Sequence, residues 1–205
     1  MKKILLLSIL LLGLASCQND TVKPKEAKKE TTPKPEKASF DRKAYKMKGK
    51  KIAMGTFKVF KGKIESIGKA KGLPEVVNFC NKNAVLLTDS IGKANHVVMT
   101  RTSHKLRNSD NKPNADQQAI IENYLETQEK HEELTPMVMK DDEGYVHFYA
   151  PIKLKKKCLQ CHGQPGKEIN DMVLKVIKDN YPGDKATGFK EGELRGIWDI
   201  KFLDK

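Results

Sequence analysis

The sequence predicts an α+β domain in which an antiparallel sheet is flanked by helices. Stretches with helical periodicity are interspersed with short stretches rich in β-branched and aromatic residues. They do not follow the regular strand–helix–strand repetition of a parallel α/β fold. Two of the strand-like stretches are separated only by a short polar turn, which favours an antiparallel hairpin. The 205 residues suffice for one such domain with tails.

The composition excludes a protein with several membrane spans. Each span needs about 20 consecutive apolar residues, and only 38% of the residues are hydrophobic. Lys and Arg number 39 against 26 Asp and Glu, which gives a net charge of +13. Residues 1–50 contribute most of this excess, with 13 basic and 5 acidic side chains. The rest of the chain is therefore only mildly basic.

Residues 1–16 are expected to be a lipoprotein signal peptide. Two lysines precede an apolar run over residues 4–14, and small residues follow, which is the pattern of an export signal. The sequence Leu-Ala-Ser-Cys at 14–17 resembles the lipobox of bacterial lipoproteins. That resemblance implies that Cys17 becomes the first mature residue and carries acyl chains. Ordinary secretion with a free Cys17 is the alternative.

Residues 17–50 are predicted to form a disordered, lipid-anchored tether. They are rich in Lys, Glu, Thr and Pro and contain almost no large apolar side chains before Phe40. We therefore expect residues 51–205 to be held at a bacterial cell envelope, periplasmic or outer-membrane, with the lipid bilayer as partner of acylated Cys17. The basic run is interpreted as solvated, and no nucleic-acid partner is expected.

Helical periodicity predicts that the domain opens with two helices. Residues 56–70 place Phe and Ile side chains at helical spacing, and Gly72 follows as a left-handed C-cap. Pro74 opens the second helix, which extends to about residue 93. Its apolar stripe includes Cys80, which is therefore expected to face inward.

The remaining elements follow from local signals. Residues 96–101 have a β-rich core and predict a strand. Asn114 and Gln117 form a capping-box pattern that opens a helix to about residue 133. The last predicted elements are a hairpin of residues 137–140 and 145–152, a helix over 168–178 and a strand over 194–202.

The segment Cys158-Leu159-Gln160-Cys161-His162 matches the attachment sequence for c-type haem. Two thiols at this spacing bond to the haem vinyl groups, and the adjacent imidazole binds the iron. A disulfide or thioredoxin-like site would need a strand–helix–strand setting that the sequence does not show. A zinc site would need further ligands, and no second cysteine pair exists. We expect one covalently bound haem c, with His162 as an axial ligand.

The residues alone leave the second axial ligand open. Thiolate lowers the iron potential and methionine raises it, so the choice affects function. The candidates are Cys80, His96, His104, His131, His147 and several methionines.

Arg101 and Arg107 are candidates to bind the haem propionates, because a guanidinium group pairs with a carboxylate through two hydrogen bonds. Ordinary structural ion pairs are the alternative for both. The lysines at 153 and 155–157, just before the attachment motif, are expected either to dock an acidic redox partner or to form a solvated surface.

Eight short segments, taken together, resemble the PAS-like c-type haem sensor family, formerly a domain of unknown function. They are residues 80–81, 101–103, 106–108, 111–113, 149–152, 158–163, 181–188 and 192–196. The resemblance covers about residues 54–203 and implies a PAS-like fold with a single haem domain. In a cyanobacterial member of the family an inward cysteine is the second iron ligand. The resemblance therefore implies the same role for Cys80.

We expect a sensor of redox state or of a diatomic gas such as CO or NO, with His162 and Cys80 on the iron. An envelope electron carrier is the alternative, and a haem peroxidase using His96 or His104 is a third possibility. Because the two favoured roles are sensing and electron transfer, we expect a protein that is not an enzyme. No output domain is seen before Lys205, so the signal is expected to pass to a separate redox or signalling protein. With each cysteine in a separate role, no disulfide is expected.

Overall fold

The structure is a computed structural model that describes residues 40–204. The predicted signal peptide, Cys17 and the tether as far as residue 39 lie outside the described residues. In chain order the helices and strands are α1 (Arg42–Lys71), α2 (Leu73–Ala94), β1 (Val97–Thr102), α3 (Ala115–Glu129), β2 (Met137–Lys140), β3 (Val146–Lys153), α4 (Leu159–His162), α5 (Asp171–Asn180) and β4 (Leu194–Phe202). This confirms the predicted α+β class. Within this part of the chain, no helix has the length and apolar character needed to cross a membrane.

The four strands form one antiparallel sheet in the order β1-β4-β3-β2. Trp198 in β4 lies opposite Arg101 of β1 on one side and Ala150 of β3 on the other. Side chains alternate along a strand, so Trp198 enters the core under α1 and α2, whereas Ile197 packs with α3 on the opposite face. The predicted hairpin and the predicted final strand are both confirmed.

Helix α1 begins well before its predicted start, so the predicted boundary between tether and domain at residue 50 is wrong. Asp41 caps the helix by accepting a backbone N–H hydrogen bond of 3.0 Å in the first turn. The first turns are held against the sheet, where the ring of Tyr45 lies 4.9 Å from the ring of Phe202. Residues 42–50 therefore belong to the folded domain.

Other boundaries follow the local signals closely. Gly72, with φ of +83°, separates α1 from α2 as predicted. The predicted capping box opens α3: the Asn114 side chain accepts from the N–H of Gln117 at 2.8 Å, and the Gln117 side chain accepts from the N–H of Asn114 at 3.1 Å. Helix α3 ends earlier than predicted, before His131 adopts a positive φ of 58°. Helix α5 begins later than predicted because Asn170 caps it.

Two glycines of α1 give a matched test of its docking. A Cβ at Gly49 would overlap the ring of Phe148, which is fully buried, whereas a Cβ at Gly55 meets nothing within 4 Å. We expect Gly49→Ala to lower the free energy of unfolding by about 1–3 kcal/mol through overpacking. Gly55→Ala should raise it by about 0.5–1 kcal/mol through helix propensity. Urea denaturation followed by circular dichroism measures both, and equal effects would contradict a docked first half of α1.

Candidate functional site

The predicted attachment motif lies just after β3, in a 3₁₀ turn (Lys156–Cys158) followed by the single-turn helix α4. Cys158 and Cys161 are both free thiols. Cys158 packs with an apolar cluster that includes Ala186 and Phe189, whereas Cys161 packs with side chains of α2 and α5. Burial raises the pKa of Cys161 to about 11. Its thiol is therefore protonated at neutral pH.

His162 is oriented by a hydrogen bond to the backbone. Its Nδ1 lies 2.8 Å from the carbonyl oxygen of Ala186, and because a carbonyl only accepts, Nδ1 carries the hydrogen. Nε2 is then the nitrogen with the free lone pair, as in histidines that bind metals. Burial, together with the positive charges of Arg195 and Arg107, lowers the pKa of His162 well below its ordinary value. The imidazole is thus neutral and suited to act as a ligand.

Residues 184–189, here called the 184–189 segment, run alongside the motif. The N–H of Phe189 donates to the carbonyl of His162 at 3.0 Å, and the N–H of Gly188 donates to the carbonyl of Gly163 at 2.8 Å. The Phe189 ring stands edge-on to the His162 ring at 6.3 Å. A Cβ added at Gly163 would lie 2.8 Å from a side-chain carbon in the loop before α5. It would also lie 2.8 Å from a carbonyl oxygen of α4. These close backbone contacts hold the end of the motif in one position.

The Arg107 side chain binds both the motif and the 184–189 segment. Its Nε and Nη2 donate to the two carboxylate oxygens of Asp184 at 3.1 and 3.2 Å. Nη2 also donates to the carbonyls of Cys161 at 2.6 Å and Ala186 at 3.1 Å. The Arg107 and Asp184 side chains are only 12% and 8% exposed. Of the two roles left open by the sequence, the structure places Arg107 in a structural ion pair.

Cys80 lies on α2, within electrostatic range of the motif. Burial raises the pKa of its thiol, while the positive charges of Arg101 and Arg107 lower it. Cys80 in turn contributes to the raised pKa of Cys161. The structure therefore brings a third free thiol and two arginines to the motif.

Arg101, on β1, has no acidic partner among residues 40–204. Its guanidinium carbon lies 5.2 Å from the centre of the Phe60 ring and 5.4 Å from the centre of the Trp198 ring, in cation–π contact with both. Burial lowers the pKa of Arg101, and the proximity of Cys80 raises it. Arg101 is half-buried, and withdrawing a cation from water without a counter-ion is costly. Arg101 is therefore available to pair with a carboxylate.

Arg195, on β4, is a third arginine near His162. Its Nη1 donates to Oγ of Ser103 at 2.8 Å and to the carbonyl of Lys105 at 3.0 Å. Burial, together with the charges of Arg107 and Arg101, lowers the pKa of Arg195 to about 9. This repulsion shows how concentrated the positive charge is around the motif.

The sequence analysis assigned no site role to Arg195 or Asp184. Within the described residues, Arg107 is the one arginine of the three that forms an ion pair, with Asp184, so the cluster stays positive. A signal for both residues was present, since they lie in the segments 181–188 and 192–196 that carry the family resemblance.

The other histidines are distributed over the domain. His96 and His131 are exposed, and both have positive φ, of 54° and 58°. His104 lies near the site, with its ring 5.8 Å from that of Phe189. Its Nδ1 is buried and has no hydrogen-bond partner within residues 40–204.

His147 belongs to a separate polar network on the α3 side of the sheet. Its Nδ1 lies 2.7 Å from Asp199 and its Nε2 lies 3.2 Å from Asp141. Gln117 donates to Asp199 at 2.8 Å, and Lys201 lies 3.0 Å from Asp141. Burial alone would lower the pKa of His147, but the hydrogen bonds and charges of both carboxylates outweigh it and raise the pKa. Both ring nitrogens are therefore already in use.

Fold and site together define an α+β protein in which a Cys-x-x-Cys-His motif is fastened by an arginine–aspartate pair beside a third thiol and an unpaired arginine. A family model described as Tll0287-like: Tll0287 matches residues 19–202, and the chain belongs to this family. The family resemblance predicted from the sequence is thereby confirmed.

The comparison with solved structures gives a weaker likeness. A structure described as the crystal structure of the cyanobacterial heme-protein Tll0287 is 21% identical, covers 75% of this chain and 96% of its own, and has a TM-score of 0.48. No curated protein matches the chain.

Replacement of Arg107 tests whether its fork holds the motif. Arg107→Lys keeps the charge but loses the paired hydrogen bonds to Asp184 and the contact with the Cys161 carbonyl, so the free energy of unfolding should fall by about 2–4 kcal/mol. Lys175→Gln, at the exposed pair with Asp179, is the control and should change it by less than about 1 kcal/mol. Urea denaturation at neutral pH measures both. A stable Arg107→Lys protein would contradict this role.

The His147 network predicts a pH dependence of stability. Because the folded-state pKa of His147 is raised, its charged form stabilises the fold fully below the unfolded pKa of about 6.5, and this contribution is lost as pH rises through the folded pKa. Wild type should therefore exceed His147→Asn in stability most at about pH 5.5 and least at about pH 9. The exposed His131→Asn is the control, measured by thermal unfolding over the same range. A wild-type advantage that does not change with pH would refute the prediction.

Proposed function

We propose that this protein is a c-type haem protein with one covalently bound haem. Cys158 and Cys161 supply the two thioether bonds and His162 one axial ligand. The observation that carries the proposal is the hydrogen bond from His162 to Ala186 beside two free thiols, because it leaves Nε2 ready for iron. Membership of the Tll0287-like family supports it, since a protein of that name is described as a cyanobacterial heme-protein.

The charges around the motif suit a group that carries carboxylates. Arg101 is a half-buried cation that contacts aromatic rings and has no carboxylate partner within residues 40–204. The buried, unpartnered Nδ1 of His104 is a further polar atom that such a group would satisfy. Arg107 is already bound by Asp184. We therefore assign Arg101 to the haem propionates and Arg107 to positioning of the motif.

Cys80 is the second axial ligand in this proposal. It is a free thiol on α2, electrostatically coupled to Cys161. Burial raises the pKa of its thiol, and the positive charges of Arg101 and Arg107 offset part of that rise in favour of the thiolate. Three of the competing histidines are either exposed or bonded through both ring nitrogens.

The proposed role is sensing of redox state or of a diatomic gas, a binding function and not a catalytic one. Bound haem supplies a redox-active iron that takes up gases such as CO or NO. The chain's own part is to hold or release the sulfur of Cys80. That choice sets the position of α2, which packs against α1, β1 and α5. A separate redox or signalling protein would detect the change at the outer faces of these elements.

We place the protein at the bacterial cell envelope, periplasmic or outer-membrane, as a lipoprotein. The support is the export-signal pattern of residues 1–16 and the sequence Leu-Ala-Ser-Cys at 14–17. Several acyl chains on Cys17 would anchor the chain stably in a bilayer.

Replacement of Cys80 tests the axial ligation. In the purified haem-loaded protein, Cys80→Ala should change the ferric absorption and EPR spectra, because the thiolate ligand is lost. His131→Gln, at an exposed position of the fold, is the control and should keep the wild-type spectra. The haemochrome spectrum in alkaline pyridine establishes that each variant still carries covalent haem. Wild-type ferric spectra in Cys80→Ala would refute thiolate ligation.

The same preparations separate a sensor from an electron carrier. A sensor that releases Cys80 on reduction should bind CO, so the reduced wild-type spectrum should shift when CO is added. A reduced spectrum that CO leaves unchanged would favour the carrier, which keeps both axial ligands in both redox states.

A further inference from the structure

The outer face of α1 is a strongly basic surface that the proposed haem site does not use. The helix carries eleven Lys and Arg side chains and a single acidic one, Glu65. Six exposed positions, three or four residues apart, fall on one line opposite the buried face. These positions, here called the α1 stripe, are Lys43, Met47, Lys51, Met54, Lys58 and Lys61.

The stripe is unneutralised along most of its length. Lys43, Lys51 and Lys58 have no acidic partner among residues 40–204, and Lys61 lies 3.9 Å from Glu65 in an exposed pair. At 1.5 Å per residue the stripe extends over about 27 Å. Charges of one sign without nearby acidic partners attract an anionic surface.

Two large apolar side chains interrupt the lysines. Met47 is 63% exposed and Met54 is 62% exposed, although α1 has a well-buried face on its other side. Flexible thioether side chains adapt to irregular apolar surroundings. Protruding apolar side chains among lysines can add buried apolar area to electrostatic attraction, the two contributions that set the strength of binding to an anionic bilayer.

The basic surface continues to the attachment motif. The ammonium group of Lys155 lies 5.7 Å from the centre of the Phe57 ring of α1. Lys157 lies 3.5 Å from Glu65. Lys156, between Lys155 and Lys157 in the chain, is exposed. A partner that covers the α1 stripe therefore also lies beside the residues that precede Cys158.

We propose that the α1 stripe docks the domain on an anionic lipid bilayer. The ammonium groups contact the phosphates of acidic headgroups, and the two methionines enter the interfacial layer. A lysine-rich helix face of this length suits an extended, fluid surface of diffuse negative charge.

The length of the preceding chain agrees with this orientation. Residues 18–39 separate Cys17 from the domain, and 22 residues reach at most about 75 Å when fully extended. If Cys17 is anchored, a step that rests on the proposed function, α1 is the element that the anchor delivers to the bilayer first. Tethering raises the effective concentration of a weak surface contact. The lipid contact itself does not require the anchor.

A vesicle assay on a chain of residues 18–205 isolates the stripe from the lipid anchor. Residues 40–204 form one compact unit with its own core, so this chain, loaded with haem, keeps the folded domain without Cys17. We expect it to cosediment with vesicles of phosphatidylcholine and phosphatidylglycerol and not with phosphatidylcholine alone. Binding should fall steeply with salt, because surface charges are screened over about 10 Å at 0.1 M.

Matched triple variants test the location of the surface. Lys43→Gln, Lys51→Gln and Lys58→Gln together should lower the vesicle partition coefficient at least tenfold. The exposed Lys112, Lys130 and Lys178 lie outside α1, and their conversion to Gln removes the same charge. This control should lower the coefficient less than threefold. Equal losses in both triples would refute the stripe, because net charge alone would then govern binding.

The methionines and a competing polyanion complete the test. Met47→Gln with Met54→Gln should weaken binding several-fold at unchanged charge, and full retention would refute insertion. Retention on polyglutamate at a salt concentration where anionic vesicles bind nothing would overturn the lipid assignment in favour of an acidic protein. The haem spectrum of each variant is recorded in parallel, so failure of the haem proposal is detected separately.

Discussion

The hydrogen bond from His162 to the carbonyl of Ala186 is the interaction on which the site depends. It selects the tautomer of the imidazole and therefore decides which nitrogen is available to a metal. A carbonyl can orient a side chain only if it is itself immobile, and Ala186 is held by the fork of Arg107. The N–H of Lys185 adds a 2.8 Å bond to the carbonyl of Leu106. Three distant chain segments thus converge to fix one ring.

The strands and most helix boundaries could be predicted because they depend on neighbouring residues. The final strand alternates between its two faces, and the caps at Gly72 and Asn114 act within a single turn. The first half of α1 could not be predicted in this way. Its buried positions include Gly49, Ala53 and Thr56, small residues that permit close approach to the sheet but give no apolar periodicity. Lysines fill its outer positions and resemble a solvated tether.

The residues of the site also differ in how far neighbouring residues predict their roles. Cys158, Cys161 and His162 are contiguous, so their pattern alone indicated their chemistry. The sequence alone could not distinguish the roles of Arg101 and Arg107, because no neighbouring residue indicates which guanidinium group pairs with a carboxylate. The two roles differ because Asp184, far along the chain, forms an ion pair with Arg107. Arg101 instead contacts aromatic rings. The axial role of Cys80 and lipidation of Cys17 stay predictions.

The position of Arg101 has an optical consequence. Its guanidinium contacts the rings of both Phe60 of α1, the basic helix, and Trp198 of β4, a central strand of the sheet. The sequence contains one tryptophan, so all indole emission comes from this position. Haem absorbs at the wavelengths where indole emits, so haem bound beside Arg101 would quench a signal that has no background from other indoles. The chain carries its own fluorophore at the junction of helix, sheet and site, and needs no added label to report on it.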